Sequence, residues 1–299
     1  MKNEMNLEMK YLESLFKMLR IRATLCSMIF LSALSAAATE KLPPVNPIPG
    51  VKATPATLPK ATLSKDTIDS SDTPQAGQSD GRVLWDSWYI VTLQKKIPYA
   101  YYHDHAEIRQ GRVVFQNHFW KNEEGYINEE QVGAFAQNDA NLTPLFFNFH
   151  STYRSTELMI DGNVQDGKIL TVKVRRGDKD LPVIKKNLPT KVFFSSLFQV
   201  WIGKHLAGLK AGASLPFLTV LEDNLDLGFS AVHGRMTVDK PDAYAQKTGT
   251  TRLKVEHQDK NTVWYVEPNG NPIRIEMPEQ HALVERVPES VAKKFLNVP

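Results

Sequence analysis

The chain has 299 residues, with 36 Lys and Arg against 33 Asp and Glu for a formal charge of +3. Residues 1–38 alone hold five basic and three acidic side chains, so the remainder is close to neutral and offers no field for nucleic acid or an anionic membrane surface. The single cysteine, Cys26, lies in an N-terminal apolar run, which closes the rest of the chain to disulfides, thiolate metal sites and cysteine nucleophiles.

Residues 1–17 are polar and mixed in charge, with Met9, Leu12, Leu15 and Phe16 at helical spacing. They are expected to be an over-extended start, with translation beginning at Met18. From there Met18-Leu19-Arg20-Ile21-Arg22 supplies a basic head, Ala23 to Leu34 an apolar run, and Ser35-Ala36-Ala37-Ala38 a small-residue exit. These are the three parts of a secretory signal. Residues 18–38 are therefore expected to be a signal peptide cleaved near Ala38, which sends the protein to the periplasm or out of the cell. The run is shorter than the roughly 20 apolar residues of a spanning helix, so the mature protein is expected to have no transmembrane span.

Residues 39–80 contain Pro43, Pro44, Pro47, Pro49, Pro55, Pro59 and Pro74 and no aromatic residue. Such a segment cannot bury enough surface to offset the entropy of ordering its backbone. It reads as a Pro-rich disordered linker, either a plain spacer or a tail that recruits partners.

All five tryptophans lie beyond residue 84, which places one folding unit at 81–299. Runs of Val, Ile, Phe, Tyr, Trp and Thr, separated by turn residues at intervals of about ten, mark an antiparallel β fold. Strands are expected at 84–94, 97–107, 112–121, 130–137, 144–150, 155–161, 168–175, 214–222, 227–238, 249–257, 262–267 and 271–277. Glu267-Pro268-Asn269-Gly270 combines a fixed φ with residues that accept positive φ. It is expected to join Val263–Val266 to Ile273–Met277 as a hairpin. In the second strand Ile273, Ile275 and Met277 share a face opposite Arg274 and Glu276. Trp88-Tyr89-Ile90-Val91 is apolar on both faces and should be covered on both.

One helix is expected, from Lys191 to Leu206, with Phe194, Leu197, Phe198 and Trp201 at helical spacing and only a narrow polar sector at Ser195, Gln199 and Gly203. A helix so apolar must be buried around most of its circumference. The fold class is therefore mainly β: a curved antiparallel sheet, half-barrel or wide barrel, enclosing one apolar helix. A short C-terminal helix is expected at Glu289–Leu296. The interior of such a sheet is either a ligand site or a plain filled core.

Trp88-Tyr89-Ile90-Val91, a turn, then Pro98-Tyr99-Ala100-Tyr101-Tyr102 resembles the opening hairpin of a family of uncharacterised bacterial periplasmic envelope proteins. The same hairpin occurs in the β-rich region that precedes some bacterial transglutaminase-like domains. Val263-Trp264-Tyr265-Val266 through Asn269-Gly270 to Pro272-Ile273-Arg274, followed by Glu285-Arg286, is similar to their closing hairpin, and Leu209-Lys210-Ala211-Gly212 after the helix fits too. The resemblance covers roughly 85–290. It implies a periplasmic curved-sheet domain, loosely similar to lipoprotein carriers of the LolA/LolB type, and no catalytic residues.

For chemistry, His103-Asp104-His105 puts two imidazoles on one face of a strand, with His118 or Glu107 as a third ligand for a metal ion. The preferred reading is a solvated hairpin edge, because two ligands alone do not define a site, and no metal is expected. Ser151, Ser195, Ser196 and Ser230 lack the sharp-turn setting of a serine nucleophile. Glu123-Glu124 and Glu129-Glu130 read as solubilising charge, and Arg175 to Asp180 as a charged hairpin turn. No cofactor is expected. The function expected is that of an exported, non-enzymatic envelope protein that binds or carries an apolar ligand, a lipid or lipoprotein moiety, lined by Trp88, Phe194, Phe198 and Trp201. The alternative is a structural or assembly factor of the envelope acting through protein contacts.

Overall fold

A computed structural model describes residues 81–296, apart from 95–96, 124–125 and 154–155. The expected start, signal and linker, residues 1–80, lie outside the described residues, as does Glu124.

The chain begins as a seven-strand meander, each strand antiparallel to the one before: β1 Arg82–Leu93, β2 Ile97–Arg109, β3 Arg112–Glu123, β4 Tyr126–Gln137, β5 Pro144–Tyr153, β6 Thr156–Gln165 and β7 Ile169–Arg176. Two short strands, β8 Lys179–Asp180 and β9 Ile184–Asn187, both pair with β7. After β10 Val192–Phe194, the 3-10 turn Ser195–Leu197 and α1 Phe198–His205, a second meander follows. It comprises β11 Ser214–Val220, β12 Ala231–Val238, α2 Ala243–Thr248, β13 Thr251–His257, β14 Lys260–Val266, β15 Pro272–Met277 and β16 Ala282–Val287, and α3 Glu289–Phe295 closes it.

β16 pairs with β1, which fuses the two meanders into one curved, unclosed 16-stranded sheet, in the order β10 to β16 and then β1 to β7. β10 against β11 is its one parallel pairing among the described residues. Alternation along the strands decides which face is buried. On β1, Trp85, Ser87, Tyr89 and Val91 point inward, while Trp88 and Ile90 point outward. The expected second cover for this strand comes from α3, which sets Lys293 Nζ 5.0 Å from the Trp88 ring centre and leaves the outer residues half-buried.

The apolar run after Lys191 is buried, but it is not one helix. Val192, Phe193 and Phe194 form β10, in register with Leu218, Thr219 and Val220, and only then does the chain turn helical. Aromatic and β-branched residues favour an extended backbone, and an apolar pattern on all sides does not separate a buried strand from a buried helix. Within α1, Phe198, Gln199, Val200, Trp201 and Ile202 are buried. Around it Phe198 packs on Phe217 at 4.7 Å between ring centres and on Trp264 at 5.4 Å, edge to face.

The expected Pro-Asn-Gly hairpin is present, with Val266 opposite Pro272. It is also the dock for α1. A methyl group at Gly203 would collide with the Asn269 carbonyl, and one at Gly270 (φ 89°) with the Gln199 carbonyl. Strand β16, the short strands β8 and β9, and α2 were not anticipated, and β12 starts at Ala231, after a looped 221–230. Among the described residues no helix is long and apolar enough to cross a membrane.

Glu123 and Glu130 correct the reading of solubilising charge. Both are buried, and between them lies Lys121, only 2% exposed, 2.6 Å from Glu130 Oε1 and 3.7 Å from Glu123 Oε1. Inward parity carries them inside, where the ion pair compensates their desolvation.

Candidate functional site: a polar cavity between the helix and the sheet

Four strands carry one polar residue each at positions whose neighbours of the same parity are apolar. Asp104 follows Tyr102 on β2, Asn117 stands between Phe115 and Phe119 on β3, Thr219 follows Phe217 on β11, and His257 follows Val255 on β13; all four are buried. With Ser195, Ser196, Phe198 and Gln199 from the helical segment, and Trp264 and Ile275 from β14 and β15, they line a cavity of about 50 Å³. That volume holds a few water-sized groups.

Asp104 is 1% exposed and sits opposite Asn117 in the β2–β3 register. Asn117 Nδ2 donates to one carboxylate oxygen at 2.6 Å, and Gln199 Nε2, reaching down from α1, donates to the other at 3.0 Å. Burial pushes the Asp104 carboxyl up to about 6 against these two hydrogen bonds. Both amides donate to Asp104, and their oxygens, Asn117 Oδ1 and Gln199 Oε1, have no hydrogen-bond partner among the described residues.

On the helical side Glu222, 2% exposed, accepts from Ser195 Oγ at 2.6 Å, from Ser196 N at 3.1 Å and from Ser196 Oγ. It thereby caps the start of the helical segment, where donors would otherwise be unpaired. Its own carboxyl is raised by burial, with these bonds opposing. Across the cavity Thr219 Oγ1 meets His257 Nε2 at 2.8 Å. Burial, then the charge of Lys260, pulls the imidazole down to about 4, which keeps it neutral at physiological pH. Gly234, on the strand between them, leaves the space that the Phe217 ring occupies.

Of the four residues expected to line a ligand, Phe198 borders this cavity. Trp201 stands behind it, stacked on Phe198 and on Phe193. Phe194 is fully buried away from the cavity, 5.0 Å from the Phe147 ring on β5. Trp88 is on the opposite face of the sheet, stacked with Trp120 at 6.1 Å and with His103 at 4.5 Å; strand parity turns Tyr89 inward in its place.

His103 and His105 share that outer face as expected, and His118 lies directly opposite His103. His103 pairs with Asp86, His118 with Glu129, and His105 is 4.0 Å from Glu107. Among the described residues no group of three or more His, Cys, Asp and Glu could hold a metal ion.

The inward strand residues missed by sequence reasoning are Asn117, Thr219 and His257, and Asp104 was read only as the middle of His103-Asp104-His105. A polar residue at an inward position was the signal for each. The polar sector of the helix was visible, and its three members have separate tasks: Ser195 meets Glu222, Gln199 meets Asp104, and Gly203 meets the 267–270 turn.

No protein-family model matches the chain, and no curated protein matches it. Among solved structures it is similar to a DUF1089 family protein from Pseudomonas aeruginosa, at 15% identity over 59% of this chain and 89% of that one, with a TM-score of 0.34. A likeness that weak carries no argument about fold or function.

Proposed function

We propose that this chain is an exported envelope protein that acts by binding, without catalysis, and that its ligand enters between α1 and the concave face of the sheet. The observation that carries the reading is the cavity itself, where an aromatic wall of Phe198, Phe217 and Trp264 meets buried amide oxygens that have no partner among the described residues. Tightly packed interiors rarely leave polar atoms unpaired. The hydroxyls of Ser195 and Ser196 are committed to Glu222 as a helix cap, which supports binding over nucleophilic chemistry.

The space of about 50 Å³ is far below the roughly 300–1,000 Å³ of a drug-sized ligand site. The ligand is therefore small, or inserts one end only; an acyl chain would require α1 to lift from the 267–270 turn. Export is supported by the signal pattern at 18–38. The alternative, assembly by strand addition, draws less support: the terminal strands β8, β9 and β10 have two, four and three residues, and Lys179, Lys185 and Lys186 stud the β8–β9 side, a common protection of sheet edges.

Native mass spectrometry of the protein purified from its own envelope tests this reading. A bound organic mass, retained less well by Phe198→Ala, is expected. Protein that is consistently free of any organic adduct, or found uncleaved in the cytosol, overturns it.

A further inference from the structure

We infer that the interior cavity is a site for a compact monovalent cation, an alkali ion or the ammonium end of an amine, held by Asp104, Asn117 and Gln199. This rests on the reading of the cavity as a binding site and names the charge that it takes.

The groups facing the cavity accept far more than they donate. Asp104 supplies a carboxylate. Asn117 and Gln199, 4% and 9% exposed, have spent an N–H on Asp104 and keep unpaired carbonyl oxygens. Ser195 and Ser196 have given their hydroxyl protons to Glu222, so any further bond they make toward the cavity is as acceptors. Thr219 and His257 satisfy each other. Among the described residues that line the space there is no Lys or Arg, so none of them would offset the charge of an anionic group.

Count and size select the class of cation. One carboxylate surrounded by neutral oxygens balances one positive charge, whereas calcium sites gather several carboxylates and magnesium holds to its waters. A cavity of about 50 Å³ admits a dehydrated alkali ion or an ammonium group but not a quaternary ammonium with its four carbon substituents. A buried carboxylate also needs a partner. The two amides supply hydrogen bonds without charge, and the cation supplies the charge.

The test is thermal unfolding of the purified protein at pH 7.5 in matched concentrations of potassium, ammonium, methylammonium or tetramethylammonium chloride. The expected result is a saturable rise in Tm with one or more of the first three, relative to tetramethylammonium. At ten times the dissociation constant the rise is roughly 3–5 °C. Asp104→Asn should abolish it, and Gln199→Met, which keeps volume and removes the oxygen, should weaken it. Crystals grown in rubidium chloride should show an anomalous peak beside Asp104. Native mass spectrometry separates the sources, since a retained amine adds an organic mass and an alkali ion does not.

Equal Tm in all four salts, with only ordered water in the cavity, overturns the inference. If an organic ligand without an amine is found alongside that result, the binding reading stands and only the cation assignment falls. A rubidium peak in a protein that never carries an organic ligand gives the reverse outcome.

Discussion

At the scale of residues, two buried charge sites have opposite balances. Lys121 meets two carboxylates, so Lys121→Met should leave Glu123 and Glu130 buried together without a cation. Removing one side of a buried pair costs about 3–5 kcal/mol, a loss readable as a fall in the urea midpoint at pH 7.

Asp104 has only amides around its carboxylate, with His103 adjacent, and with His257 and the Glu222-capped serines lining the same cavity. Its carboxyl is raised from 3.8 to about 6, so the native state takes up this proton before the unfolded chain does. The contribution is therefore full below about pH 4 and lost as pH rises through 6, a swing on the order of 3 kcal/mol. Glu222 acts in the same sense. His257, lowered from 6.5 to about 4, acts in the opposite one: its contribution is full above 6.5 and lost as pH falls toward 4. Denaturation in tetramethylammonium buffer between pH 4 and 7.5 should show Asp104→Asn with a profile that rises more steeply with pH than the parent. Parallel profiles would contradict the assignment. Asp104 was legible only as one member of His103-Asp104-His105, where the histidines drew attention. Parity along β2 shows that the inward residue is the aspartate.

At the scale of elements, α1 is held by backbone approach as much as by side chains. Gly203→Ala would add about 1 kcal/mol of helix propensity if the site were open. Because the new methyl meets the carbonyl of Asn269, a net loss of roughly 1–3 kcal/mol is expected, measured by chemical denaturation. Gly208, with nothing within 4 Å of an added Cβ but φ at +80°, is the comparison that reports backbone strain alone. The Pro-Asn-Gly turn was predictable from its own residues, since turn chemistry is local. That the turn would be the seat of the helix was not, because the contact joins residues about 70 positions apart. The division of 191–206 into strand, 3-10 turn and helix was hidden for a related reason: β10 exists only because β11 offers it a partner.

At the scale of the whole molecule, β1 pairs with both β2 and β16, so the N- and C-terminal meanders form one continuous sheet. Tyr89 on β1 strengthens this junction, donating from its hydroxyl to Asn271 Oδ1 at 2.6 Å. Unfolding should therefore be one transition, coincident by circular dichroism and tryptophan fluorescence. A chain ending at Gln280, which lacks β16, should lose that cooperativity and expose the edges of β1 and β15. Two separate transitions in the intact protein would show that the meanders are independent units.

The sequence by itself determined the strand-rich character, most of the meander strands, the closing hairpin and the burial of the segment around Phe198, because period-two alternation, turn residues and apolar content are properties of short stretches. Only the tertiary structure decided that β16 returns to β1, that Trp88 faces away from the helix, and that Asp104, Asn117, Gln199, Thr219 and His257 share one cavity. Those residues are separated by up to about 150 positions, and strand pairing, the curvature of the sheet and the docking of α1 bring them together.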